Sequence, residues 1–156
     1  MTDVRQARLI RPGEGPQLDY PGQELYYKLR GDDTQGRLSI VEFVMPAGLE
    51  GPPLHTDNHD EVFIVLNGDM TFQVGDNVVQ AGDGSIVFAP ENARHTFANH
   101  AARPARFLVM FSPAGFEGFF AEVLEAVAGG PLDPAKVLPI STRYGTNYLG
   151  LPKWRQ

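Results

Sequence analysis

Between residues 38 and 111, short runs of alternating hydrophobic and polar residues are separated by turn-forming residues. The run LSIVEFVM at 38–45 predicts a strand, and four more are predicted between residues 61 and 90. Turn signals recur about every 8–12 residues, a spacing typical of a β-sandwich or β-barrel. The predicted turns are Asn67-Gly68, Gly75-Asp76-Asn77 and Gly82-Asp83-Gly84, and two further strands are predicted at His95–Asn99 and Arg106–Phe111.

After Pro113 the hydrophobic period becomes helical. Gly129-Gly130 is expected to end the first helix, and Asp133 followed by Pro134 predicts the start of a second. We expect both helices to pack outside the strands, with the phenylalanines serving as core. The residues on one face of the first helix are Phe116, Phe119, Phe120, Val123, Leu124 and Val127.

Length and charge narrow the class of protein. The 156 residues fit one domain, and a net charge of −6 argues against nucleic acid as the main partner. The chain has no cysteine, so any transition metal must be held by nitrogen and oxygen ligands. The first 15 residues carry no signal-peptide pattern, and no apolar run is long enough to span a membrane. We therefore expect a cytoplasmic protein without a membrane partner.

Four potential metal ligands follow one another at intervals of two residues: His55, Asp57, His59 and Glu61. In extended backbone, residues two apart point to the same side. Glu61 also opens the apolar run EVFIVL, where a lone buried carboxylate would be costly unless it is paired or ligating. A further histidine, His95, opens a later predicted strand. The pattern predicts a site for one divalent metal ion.

The spacing of these residues resembles the two sequence motifs of the cupin superfamily. The chain departs from the motifs at Asp57, where a histidine is expected, and at Asn92, where a glycine is expected. Over roughly residues 8–150 the chain resembles a small single-domain subgroup labelled quercetin dioxygenase-like. The matching positions are His55, Glu61 and Gly68 for the first motif and Gly84, Pro90, His95 and Asn99 for the second.

The resemblance implies an all-β cupin barrel, also called a double-stranded β-helix or jelly roll, with a C-terminal helical segment. The expected single domain spans residues 1–156. Its N-terminal strands are expected at about 8–30, its barrel core at about 36–112 and its C-terminal helices at about 114–140. The resemblance also implies that His55, Glu61 and His95 bind the metal, and that the protein forms a homodimer.

Asp57 leaves three interpretations open. Two histidines and two carboxylates would neutralise a divalent ion and favour Fe²⁺, with Mn²⁺, Ni²⁺ and Zn²⁺ as alternatives. Alternatively, His59 takes the place of the missing histidine, and Asp57 orients a ligating imidazole. In the third interpretation the site holds no metal, and Asp57, Glu61 and the histidines act in acid–base catalysis or simply line a pocket.

Strand alternation predicts that Phe63, Phe72, Phe97 and Met110 form the walls of a small-molecule pocket. The first functional hypothesis is a metal-dependent dioxygenase that acts on a small aromatic or enolisable substrate, the chemistry that the subgroup's label implies. The alternatives are a non-redox cyclase or isomerase of a polyketide-like molecule and a non-catalytic protein that binds a small ligand.

Overall fold

Within residues 5–156, which the computed structural model describes, eleven strands form two antiparallel sheets. Residues 1–4 of the expected single domain lie outside this range. The larger sheet contains β1 (Gln17–Tyr20), β2 (Gln23–Leu29), β3 (Ser39–Met45), β5 (Asp60–Asn67), β8 (Ile86–Ala89) and β10 (Ala105–Ser112). The smaller sheet contains β4 (Leu54–Thr56), β6 (Met70–Val74), β7 (Asn77–Ala81), β9 (His95–Ala98) and β11 (Asn147–Gly150).

The strand order is β1-β2-β3-β10-β5-β8 in the larger sheet and β11-β4-β9-β6-β7 in the smaller. Aromatic side chains from both sheets meet in the space between them. Phe63 of β5 packs edge-on against Phe72 of β6 with ring centroids 5.1 Å apart, and Phe97 of β9 packs against Phe107 of β10 at 5.5 Å. The core therefore lies between the sheets, and alternate residues of each strand face it.

The strands and turns predicted between residues 38 and 111 are confirmed. β5, β6, β7 and β8 are separated at the three predicted turns, and β3, β9 and β10 begin and end within one residue of their predicted bounds. Asn92 has a φ of +64°, a left-handed conformation that asparagine adopts more readily than most residues. Its backbone N–H donates to the Asp57 carbonyl at 2.8 Å. Asparagine thus adopts the left-handed backbone conformation at the position where the motif has glycine.

Both predicted helices are present as α2 (Gly118–Val127) and α3 (Pro134–Arg143). The Asp133 side chain accepts a hydrogen bond from the Ala135 N–H at 3.0 Å and caps α3 as predicted. The ring of Phe120 packs edge-on against Tyr20 of β1 at 5.6 Å, which holds α2 against the larger sheet. No helix within residues 5–156 has the length and apolar character needed to cross a membrane.

Four short elements were not predicted: α1 (Gly31–Thr34), β4, β11 and a 3-10 helix at Lys153–Arg155. β11 follows α3 and adds to the edge of the smaller sheet beside β4. In that pairing Tyr148 lies opposite His55. The C-terminal segment thus returns to the barrel after the helices and reaches the predicted metal cluster.

Candidate metal centre

His55 and His95 are brought together by the smaller sheet. They are directly opposed in the antiparallel pair of β4 and β9, and their ring centroids lie 4.5 Å apart. Both side chains are almost completely buried. His55 and His95 are 40 positions apart in the sequence, and the pairing of β4 with β9 brings them together, so the sheet register decides that the two imidazoles share one site.

The Nδ1 atoms of these two histidines form hydrogen bonds with backbone carbonyl groups. Nδ1 of His55 lies 2.7 Å from the Pro53 carbonyl oxygen, and Nδ1 of His95 lies 3.0 Å from the Ala93 carbonyl oxygen. A carbonyl only accepts, so each Nδ1 carries the proton and donates it. This arrangement directs both Nε2 atoms into the site and is the one that ligating histidines commonly show.

Asp57 lies between the two Nε2 atoms. Its Oδ1 accepts a hydrogen bond from the Thr146 hydroxyl. Its Oδ2 is 3.3 Å from His55 Nε2 and 3.5 Å from His95 Nε2, yet it has no hydrogen-bond partner within the described part of the chain. A buried carboxylate oxygen without a partner is costly, and a cation at this point would remove that cost. Donor atoms of His55, Asp57 and His95 lie within 4.8 Å of one another.

Glu61 connects His95 with His59. Its Oε2 is 3.0 Å from His95 Nε2, and its Oε1 is 3.1 Å from His59 Nε2. Burial raises the pKa of Glu61, but the hydrogen bonds with His59 and His95 outweigh burial and lower that pKa to about 2. Burial lowers the pKa of His95, and Glu61 more than compensates, so the net shift is upward. A metal ion would take the place of the proton on His95 Nε2.

His59 lies to one side of the histidine pair. Its ring packs against Phe116 at 4.7 Å and Phe111 at 5.6 Å, and its Nε2 faces Glu61. Donor atoms of Asp57, His59 and Glu61 also lie within 4.8 Å of one another. The carboxylate of Asp57, and not the His59 ring, therefore lies between His55 and His95.

The five residues fit a divalent cation. Two buried imidazoles with fixed tautomers and two buried carboxylates form a mixed nitrogen and oxygen donor set without sulfur, suited to Fe²⁺ or Mn²⁺ as well as Zn²⁺ or Ni²⁺. His59 adds a third imidazole on the Glu61 side.

A cavity of about 570 Å³ opens beside the cluster, with His55 and Glu61 in its wall. Phe63 and Phe97, two of the predicted wall residues, line this cavity. The other two predictions are wrong: Phe72 is fully buried and is not among the lining residues, and Met110 points to the outer face of β10. Strand alternation was assigned with the wrong phase in β10. The inward-facing residues that line the cavity there are Val109 and Phe111.

The phenylalanines of the α2 region also line the cavity. Phe116, Phe119 and Phe120 were expected to be core only, but they form the cavity wall as well as packing against one another. A helical stripe shows which face is buried but not whether that face meets packed side chains or a cavity.

Thr146 and Tyr148 were missed as site residues. Thr146 holds Asp57, and the Tyr148 ring packs edge-on against His55 at 6.0 Å. No periodic pattern marks this four-residue strand.

Comparisons with known proteins agree with this architecture. Residues 41–111 match the family model described as "Cupin domain". An uncharacterized Streptomyces coelicolor protein is 39% identical over 54 residues, which are 35% of this chain and 50% of that protein. The match thus spans half the length of that relative.

Among solved structures, three similar ones come from different bacteria. The polyketide cyclase RemF of Streptomyces resistomycificus is 20% identical with a TM-score of 0.58, covering 69% of this chain and 80% of that one. A Thermotoga maritima protein described as a predicted oxalate decarboxylase is 16% identical with a TM-score of 0.62, covering 68% and 99%. An RmlC-like cupin of Shewanella frigidimarina is 19% identical with a TM-score of 0.59, covering 74% and 99%. The predicted fold is confirmed: the chain has the cupin double-stranded β-helix fold.

Proposed function

We propose that this protein of cupin fold is a divalent-metal-dependent enzyme that acts on a small aromatic or enolisable substrate. The observation that carries the proposal is the unpartnered Oδ2 of Asp57, which lies 3.3 Å from His55 Nε2 and 3.5 Å from His95 Nε2. Buried polar atoms without partners are rare and call for a physical reason. A bound cation supplies that reason.

In this proposal His55, Asp57, Glu61 and His95 hold the ion. When bound, the ion supplies Lewis-acid polarisation of substrate oxygens and, as Fe²⁺, capacity for chemistry with dioxygen. The two carboxylates balance its double positive charge. A substrate that keeps its oxygens uncharged or weakly acidic therefore suits the site better than a strongly anionic one.

The chain contributes positioning, exclusion of water and proton handling. Phe63 and Phe97 contribute aromatic rings to the cavity wall, against which a flat substrate can pack. Glu61 lies in the cavity wall with His59 hydrogen-bonded behind it, so a proton released by an enol or phenol can be held between the two side chains.

The first reaction class is dioxygenation, because two histidines with a carboxylate are the ligand set of many non-haem iron oxygenases. The second is non-redox cyclisation or isomerisation, which the hydrogen-bonded pair of Glu61 and His59 supports, since such chemistry needs an acid and a base at the substrate. The fold likeness to the cyclase RemF is compatible with this second class.

Metal analysis is the first test. We expect protein purified without added metal, or reconstituted with Fe²⁺ or Mn²⁺, to bind about one ion per chain, and His95→Ala to lose it. His100→Ala is the matched control, because His100 is exposed and pairs with Glu50 away from the cluster. Full occupancy in His95→Ala, or no metal binding by the parent protein, would contradict the proposal.

Oxygen uptake then separates the reaction classes. Metal-loaded protein is incubated with catechols, flavonols and diketones while oxygen and product are followed. Stoichiometric uptake supports dioxygenation, and conversion without uptake supports cyclisation or isomerisation. Saturable binding without conversion would leave the third hypothesis, a non-catalytic ligand-binding protein.

A further inference from the structure

The cavity wall has an unusual charge distribution. Among the described residues that line it, there is no lysine and no arginine, and its two carboxylates belong to Glu61 and Glu50. Glu50 is already engaged, since it accepts hydrogen bonds from Trp154 Nε1 at 3.0 Å and pairs with His100 at 2.8 Å. An anionic ligand would meet no fixed positive side chain there, and its desolvation would go uncompensated. The wall therefore selects against anions.

A second polar group faces the cavity away from the metal cluster. Tyr20 lines the cavity and is 8% exposed, so its hydroxyl is available as a donor to a bound ligand. Burial is the main cause that raises the pKa of this hydroxyl, and the nearby Tyr148 adds to it, so the group stays a donor at neutral pH. Buried tyrosine hydroxyls usually have a partner, and a ligand oxygen can serve as one.

Tyr20 is separated from the metal cluster by a row of aromatic rings. Its ring contacts Phe120 at 5.6 Å, Phe120 contacts Phe111 at 6.3 Å, and Phe111 contacts His59 at 5.6 Å. The cavity of about 570 Å³ is larger than a single aromatic ring requires. A molecule of two or more fused or linked rings can therefore occupy the space beside the cluster and Tyr20.

The cavity mouth is apolar as well. Leu132, Leu138 and Leu151 are 45%, 52% and 52% exposed, yet all three belong to the cavity lining. Exposed leucines that gather around one opening are a common sign of apolar ligand binding. They allow an apolar end of the ligand to extend past the α2–α3 helices.

We propose that the site takes an uncharged, elongated ligand of two or more rings, anchored at its far end by a hydrogen bond to the Tyr20 hydroxyl and extending between the leucines of the mouth. This inference names the substrate class of the proposed enzyme. It rests on the proposed function only in assigning a role to the end of the ligand that meets the metal. Binding at Tyr20 and at the mouth does not need the ion. It can be measured in protein treated with chelator.

The test uses two fluorescent naphthalenes: prodan, which is uncharged and carries a ketone, and anilinonaphthalene sulfonate, which is anionic. Full-length protein, as purified and after chelation, is titrated with each probe. We expect prodan to bind with one site per chain and the sulfonate to bind roughly tenfold more weakly or not at all. Equal or tighter binding of the sulfonate would overturn the proposed charge selection.

Variants locate the probe. Tyr20→Phe should weaken prodan binding roughly three- to tenfold, because one hydrogen bond is lost, and should shift the emission of bound prodan to shorter wavelength. Leu138→Asp should weaken binding roughly fivefold or more, because apolar contact is lost. Leu9→Asp is the control, since Leu9 is 71% exposed and does not line the cavity.

An unchanged prodan affinity in Tyr20→Phe, with circular dichroism and melting temperature like those of the parent, would refute the anchoring role. The outcome is separate from that of the metal test. Prodan binding with the expected variant effects but without any metal binding would refute the proposed enzyme and leave the ligand class standing. Metal binding without selective binding of prodan would refute the ligand class and leave the proposed enzyme standing.

Discussion

Thr146 decides which oxygen of Asp57 faces the two histidines. Its hydroxyl donates to Oδ1, so Oδ2 is left pointing between the Nε2 atoms of His55 and His95. A carboxylate held at one oxygen loses less freedom when the other oxygen binds a cation. Thr146 is thus a positioning residue for a ligand that is 89 sequence positions away.

Replacing Thr146 with valine keeps the shape and removes the hydroxyl. We expect metal affinity to fall roughly 10- to 100-fold, as is usual when a residue that orients a ligand is lost. The dissociation constant for Mn²⁺ or Zn²⁺ can be measured by isothermal titration calorimetry. Thr142→Val is the matched control, because Thr142 is exposed on α3 and its hydroxyl bonds only to the Leu138 carbonyl. Equal affinities in both variants would remove this role from Thr146.

Position 57 itself can be tested by restoring the motif's histidine. Because Asp57 lies between His55 and His95, Asp57→His should replace an oxygen ligand with a nitrogen one and raise the affinity for Ni²⁺ and Zn²⁺ relative to Mn²⁺. Competition between metals, read by elemental analysis, checks this ratio. If His59 served in place of position 57, the ratio would respond to His59→Ala and not to Asp57→His.

At the scale of elements, the start of α2 is held by a buried carboxylate. Glu117 accepts the N–H of Gly31 at 2.8 Å and the N–H of Gly115 at 2.6 Å, and so ties α2 to α1 and to the preceding loop. Burial raises the pKa of Glu117, but the nearby Ser39 hydroxyl and these backbone N–H groups outweigh burial and lower it. This anchoring matters for function because the phenylalanines of the α2 region form one wall of the cavity.

Glu117→Gln should lower the free energy of unfolding at pH 7 by about 1–3 kcal/mol, since bonds to a charged acceptor are replaced by weaker ones. A lowered folded-state pKa means that the stabilising contribution is present above the unfolded value of about 4.5 and is lost as pH falls through the folded value. The difference between the parent and the variant should therefore shrink in acid. Urea unfolding at pH 7 and pH 3 measures it.

Glu125→Gln, at an exposed position on α2, should show neither the loss at pH 7 nor the pH dependence. If the two glutamine variants behave alike at both pH values, the hydrogen bonds of Glu117 do not contribute as described.

At the scale of the whole molecule, the site joins strands from both sheets with the C-terminal segment. Glu61 belongs to the larger sheet, whereas His55 and His95 belong to the smaller one. A cation bound by all three would link the sheets directly and would stabilise the folded state, because the unfolded chain offers no such cluster. The homodimer implied by the resemblance stays a prediction.

Chelation should therefore lower the melting temperature of metal-loaded protein. At a free ion concentration about 100 times the dissociation constant, the stabilisation is about 2.7 kcal/mol, or about 5–10 °C for a domain of this size. Scanning calorimetry with and without chelator measures the shift. His95→Ala should have the same melting temperature with and without chelator. If the parent protein is shown to hold metal and its melting temperature does not change on chelation, metal binding does not stabilise the fold as described.

Local patterns in the sequence determine most of the barrel and two features of the site. The alternation of β5, the hairpin turns and the period of α2 are set by neighbouring residues, so they were predictable. The two-residue spacing of His55, Asp57, His59 and Glu61 marked them as a cluster, but the expected continuous extended segment is wrong: the chain bends at residues 58–59 as it passes from β4 in the smaller sheet to β5 in the larger one. The buried position of Glu61 followed from the apolar strand around it.

Only the tertiary structure decided what completes the site. The facing of His55 and His95 depends on the register of β4 and β9, and the orientation of Asp57 depends on Thr146. The phenylalanines of the α2 region line the cavity as well as packing against one another, which depends on how α2 docks on the larger sheet. These contacts join residues that are tens of positions apart, and periodicity carries no information about them because it reports only which face of an element is buried.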